Sequence, residues 1–146
     1  MKSVAAVGLG VLIALTTGLL VVFGILAPVF TRFFGLELAG STALPITLMV
    51  FADAFAFYFG GMAASYRAPA RRRLHGTLVA PVAFAISPAI NVATGESMFP
   101  GLETRGAVLL AAVFLAVSFG AAYVGARRGE AFYAYNQKLP PHHHRR

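Results

Sequence analysis

Four apolar runs, residues 4–29, 44–64, 76–94 and 106–126, constrain this chain more than any other feature. A helix needs about 20 apolar residues, within a range of roughly 17–25, to cross the hydrocarbon core of a bilayer. Each run meets that length. Apolar residues fill the runs continuously instead of recurring at an amphipathic spacing, so none reads as the surface helix of a water-soluble domain. Composition agrees: 58% of the residues are hydrophobic and only 12% are charged, about half the charged share of a soluble domain. The expected fold is all-α, an integral membrane four-helix bundle over residues 1–126 with a basic tail over residues 127–146. No stretch remains for a separate soluble domain.

The charge pattern orients this arrangement. Lys2 precedes the first run; Arg67, Arg71, Arg72 and Arg73 lie between the second and third; Arg127, Arg128, Lys138, Arg145 and Arg146 follow the fourth. Ten of the twelve Lys and Arg residues therefore share one side, and only Arg32 and Arg105 occupy the other. Basic loops stay cytoplasmic, so both termini are expected inside. The net charge of +7 then needs no nucleic acid to explain it. Arg67, Arg71, Arg72, Arg73, Arg127 and Arg128 are expected to contact anionic lipid on the cytoplasmic face, at about 1 kcal/mol per residue near the surface. Arginine outnumbers lysine ten to two, a composition that suggests a bacterial inner membrane.

A signal peptide is the competing reading of the N-terminus. The first run is about twice the usual 7–15-residue signal core, and no A-x-A cleavage pattern follows it. It is read as a retained helix. The chain has no cysteine, which excludes disulfides, thiol catalysis and cysteine-based metal sites. It has no tryptophan either, so an interfacial belt rests on Tyr, Phe and Arg.

Local signals shape the four helices. The segment "TRFFGLELAGST" is too apolar for a solvated turn and reads as a stretch lying in the outer interface. Pro69 and the arginine run end the second helix. Pro81 and Pro88 free the carbonyls of Thr77 and Phe84, which predicts kinks in the third. Small residues recur at a spacing of four: Gly60 with Ala64, Gly61 with Ser65, Ser118 with Ala122 and Ala126, and Ala121 with Gly125. That spacing lets backbones approach closely within a membrane. "FGGMAASYRAPARR" from Phe59 and "FGAAYVGARRGE" from Phe119 also resemble each other, as a duplicated helical hairpin would.

Asp53 stands out in "VFADAFAFYFGGMAAS". It lies near mid-membrane, where an aspartate costs roughly 2.5–3.5 kcal/mol on insertion scales. No Lys, Arg or His lies within the four runs to pair with it. Counting at 1.5 Å per residue, Thr16, Thr17, Ser87 and Ser118 fall within about 4 Å of its depth. A layer of hydroxyls is thus the expected company, with Asp53 pointing at a neighbouring helix. The layer serves either packing or, alternatively, a proton or cation path, since intramembrane carboxylates mark such paths. Asn91, one turn beyond Pro88, is the nearest further polar candidate.

Other chemistry finds little support. No Ser, His and Asp pairing, phosphate-binding glycine loop or H-E-x-x-H motif occurs. The histidines at 142–144 form a run on a tail without fixed geometry, and no metal or other cofactor is expected. His75 near the cytoplasmic face leaves a haem- or quinone-linked electron-transfer subunit as a weaker alternative. The leading expectation is a non-enzymatic membrane protein that acts by association, as a subunit or homo-oligomer. A small transporter or channel using Asp53 is the runner-up.

Overall fold

The computed structural model describes residues 2–35, 43–94 and 103–138, without the side chains of 34, 43, 44 and 87–94. Every regular element among them is helical. In chain order they are α1 (Lys2–Leu19), a π-helical segment (Leu20–Leu26), α2 (Ala27–Phe34), α3 (Ala43–Arg67), α4 (Arg72–Thr77), α5 (Val79–Thr94) and α6 (Thr104–Lys138). Three stretches are long and apolar enough to cross a membrane: Lys2–Phe33, Pro45–Arg67 and Thr104–Lys138.

Helix α3 is the hub. It packs most extensively against α6 and next against α1. The contacts also fix directions. Gly10 approaches Gly60 and Ala64, while Gly18 approaches Ala56, so α1 runs antiparallel to α3. Asp53 bonds Ser118 while Ser65 bonds Ala126, and Tyr58 meets Gly125 while Met62 meets Gly129, so α6 runs parallel to α3. Phe84 of α5 stacks near Phe57, with ring centroids 6.2 Å apart, and Val79 fits between Gly10 and Gly60.

Both seams are built from small residues because larger ones would hold the backbones apart. A Cβ on Gly10 would lie 2.6 Å from Val79 Cγ2 and 2.7 Å from the Gly60 carbonyl oxygen. A Cβ on Gly61 would strike the backbone of Ala122, and one on Gly125 the carbonyl of Tyr58. Gly60 and Gly61 are neighbours in sequence yet serve different partners. One faces α1, the other α6. Ala64 and Ser65 repeat this division one turn later, Ala64 beside Gly10 and Ser65 donating its hydroxyl to the Ala126 carbonyl at 2.8 Å. Ala122 and Ala126 are fully buried; Ala121 is only half-buried beside them. Larger apolar side chains point outward, among them Leu12, Phe23, Phe51, Leu109 and Phe119.

Several expectations from the sequence are revised. The first helix runs past residue 29 to Phe34 and carries a π-helical stretch within it. Thr31 through to Phe34 belong to that helix instead of an interfacial loop. Gly35 ends it with φ 60°, the left-handed conformation that glycine adopts without a Cβ clash. Residues 36–42 lie outside the described residues. The regular helix after the arginine run breaks at Leu78, one turn before Pro81. Pro81 lacks the N–H that would bond the Thr77 carbonyl, and the ladder resumes with Val82 N–H donating to the Leu78 carbonyl at 3.1 Å. No such break accompanies Pro88, which α5 passes through.

The last helix departs most from expectation. It does not stop at Ala126 to leave a tail from 127; α6 continues to Lys138, 35 residues in all. At 1.5 Å per residue that is about 52 Å, well beyond the roughly 30 Å of a bilayer core. The extension is docked on the rest of the fold. A Cβ on Gly129 would strike the Met62 carbonyl. Glu130 pairs with Arg73, and Tyr133 lies against Arg72 and Tyr66.

Candidate functional site

Asp53 sits on α3, half-buried, where α3 crosses both α6 and the far half of α1. The fully buried Ser118 hydroxyl of α6 donates to Asp53 Oδ2. The same hydroxyl oxygen lies 2.5 Å from the carbonyl oxygen of Phe114, one turn earlier in α6. A hydroxyl has one proton to give. An ionised Asp53 therefore competes with Phe114 for it, whereas a protonated Asp53 donates to Ser118 and leaves the Phe114 bond intact.

The second carboxyl oxygen has no hydrogen-bond partner among the described residues. It is not walled in, however. Asp53 lines a cleft of about 230 Å³ whose walls include Leu15, Gly18 and Leu19 of α1, Met49 of α3 and Phe114 of α6. Its lining comes from α1, the π-helical segment, α3 and α6. Its α1 wall reaches Val22 and so spans the change from α-helical to π-helical hydrogen bonding at Leu20. Such π-helical stretches are uncommon and recur at functional sites.

The expected hydroxyl layer shrinks to a single member. Thr16 is exposed and donates to the Leu12 carbonyl of its own helix at 2.7 Å. Thr17 is half-buried and does not line the cleft. Ala14 meets Gly60 and Gly18 meets Ala56, which sets both threonines nearer the level of Phe57 than of Asp53, and Ala14, Leu15, Gly18 and Leu19 occupy the facing side of α1. The side chains of Ser87 and Asn91 lie outside the described residues.

A second polar cluster ties α6 to the basic end of α3. Arg72 Nη1 donates to the Ser65 and Tyr66 carbonyls at 3.2 and 2.6 Å, satisfying acceptors that the end of a helix leaves open. Its guanidinium carbon lies 3.2 Å from the ring centroid of Tyr133, and Asn136 Nδ2 donates to the Tyr66 hydroxyl at 3.0 Å. Arg73 pairs with Glu130. Of the six arginines expected at lipid, Arg72 and Arg73 are thus engaged within the protein. Arg67, Arg71, Arg127 and Arg128 are exposed and have no acidic partner among the described residues.

Sequence reasoning missed Gly76 and Gly129 as close-approach positions, together with the Arg72 cap. Gly129 extends the four-residue series of Ala121 and Gly125, a signal available in the sequence. His75 is half-buried, and its Nδ1 lies 3.1 Å from the Arg71 carbonyl. Among the described residues no three His, Cys, Asp or Glu side chains converge; the histidines at 142–144 lie outside those residues. No family model, curated protein or solved structure matches the chain.

Proposed function

We propose that the chain is a non-enzymatic integral membrane protein that acts by association, as a subunit of a membrane complex or as an oligomer. It crosses the bilayer four times, through α1 to α2, through α3, through α4 and α5 together, and through α6. Both ends lie on the cytoplasmic side. The alternating helix directions support this topology, and so does the segregation of basic residues to one end. Small residues buried in the seams and large apolar ones turned outward suit an apolar solvent, where packing instead of hydrophobic burial holds helices together. Arg67, Arg71, Arg127 and Arg128 are left to meet anionic lipid.

The observation that carries association over passage is the packing on both sides of α3. Backbones meet along both seams, Gly10 with Gly60 and Gly61 with Ala122, and the cleft beside Asp53 holds about 230 Å³. Two measurements test the reading. Single cysteines introduced at Ser3, Glu103 and Lys138 should label from the inside, outside and inside respectively. Extraction in mild detergent should yield a particle larger than one chain; a strictly monomeric particle refutes association.

Proton or cation movement through Asp53 is the second reading, favoured by the π-helical stretch that borders the cleft. It requires flux into reconstituted vesicles that Asp53→Asn abolishes.

A further inference from the structure

We infer that the cleft beside Asp53 is the docking site for a separate transmembrane helix carrying a basic side chain at mid-depth. This rests on the membrane reading above. An intramembrane carboxyl is costly unless partnered, and among the described residues Asp53 has a partner, Ser118, on one oxygen alone. The other oxygen opens to a cleft with apolar walls. The complement to that surface is a cation delivered within an apolar rod.

Size and shape narrow the occupant. At about 230 Å³ the cleft falls below the roughly 300–1,000 Å³ of small-molecule pockets, and suits one long side chain. Gly18 forms part of its α1 wall, and a Cβ there would meet only Ala56 Cβ at 3.6 Å. Space therefore remains in front of Asp53. Leu15, Leu19 and Phe114 offer an apolar rim for the helix that bears the incoming side chain.

Charge excludes a second copy of this chain. Each of its Lys and Arg residues lies outside the four apolar runs, so no copy brings a cation to the depth of Asp53. The partner is a different chain.

The test uses the full-length protein, labelled with a fluorophore on Lys138→Cys; with no native cysteine, the label is unique. The probes are Lys-flanked Leu/Ala transmembrane peptides carrying either Arg or Leu at the centre. Protein and peptide are co-reconstituted into phosphatidylcholine vesicles, and association is read by energy transfer. The Arg peptide should bind at least tenfold more tightly than the Leu peptide. Asp53→Asn should remove that preference, and so should Gly18→Leu, which fills the cleft while leaving the carboxyl in place. Equal binding of the two peptides by the unmodified sequence overturns the inference without reference to any variant. A preference that survives both substitutions also overturns it. So does Asp53-dependent self-association without peptide, which would make a second copy the occupant. A chain that fails to insert into the vesicles refutes the membrane reading itself, a distinct result.

Discussion

Ser118 reaches Asp53 across 65 positions of sequence, from one helix to a parallel neighbour. The bond fixes the register of α6 on α3 at mid-helix, while the small-residue seam fixes their separation. Polar contacts between membrane helices contribute about 0.6 kcal/mol on average and rarely exceed about 1.7. Ser118→Ala should therefore destabilise the fold by roughly 1 kcal/mol in mild detergent, measured by SDS-titrated unfolding. A double-mutant cycle with Asp53→Leu should return a coupling of similar size. Strict additivity would show that the two side chains do not act together.

Glycine positions on α3 and α6 should respond to alanine with opposite signs. In an open helical position, Gly→Ala gains about 0.5–1 kcal/mol by restricting the unfolded chain. Gly120 is such a position, with nothing within 4 Å of an added Cβ. At Gly125 the same methyl strikes the Tyr58 carbonyl, and at Gly61 the Ala122 backbone. Backbone cannot yield as a side chain does, so Gly125→Ala and Gly61→Ala should each cost about 1–3 kcal/mol. Thermal unfolding of the three variants distinguishes the cases by the direction of the Tm change.

How far residues alone reveal this arrangement depends on the quantity in question. Spacing reports which residues share a helix face, which is why the four-residue recurrences at Gly60, Gly61 and Ala122 are visible before any coordinates. Depth is also countable, and it brings Asp53 and Ser118 to one level. Azimuth is not countable, since it depends on how helices are rotated against each other. Thr16 and Thr17 are near in counted depth, yet the register of α1 on α3 and the rotation of α1 leave both out of the cleft. Polarity also misleads about helix ends: Arg127 and Arg128 mark where apolar character stops, whereas α6 persists because Gly129, Glu130 and Tyr133 find partners on α3 and α4. A count of charges treats Arg71 and Arg72 alike, and only the fold separates an exposed arginine from a helix cap.

That separation is measurable. Arg72 joins two carbonyls of α3 to the face of Tyr133. Lysine retains the charge but loses the planar fork and the stacking surface. Arg72→Lys should cost about 1–2 kcal/mol, from a cation–π contact of about 0.5–1 and a weakened pair of carbonyl bonds. Arg71→Lys should stay within about 0.5 kcal/mol, as surface changes do. Equal effects at both positions would place Arg72 among the surface arginines. Proteolysis at the Arg127 to Lys138 segment offers an independent readout, since releasing Tyr133 should expose that part of α6.

The π-helical segment makes the sharpest prediction about α1. Hydrogen bonds from residue i+5 to residue i widen each turn, so a π-helical stretch accommodates more residues over the same rotation than an α-helix. Leu20–Leu26 buries none of its side chains, yet Phe30 beyond it is enclosed, with 2% of its surface exposed. The segment thus behaves as an insertion absorbed without rotating the residues that follow. Deleting Val21 should let the stretch revert to α-helical bonding while Phe30 keeps its place, changing stability by less than about 1 kcal/mol. Deleting Ile13 gives a contrasting result. It lies between Gly10 and Ala14, both pressed against α3, where an α-helix has no slack. Its loss turns one of these contacts by about 100° away from the seam and should prevent assembly of the fold. Monodisperse elution in detergent, retained by the first deletion and lost in the second, verifies the prediction; loss in both would show that the π-helical geometry is itself required.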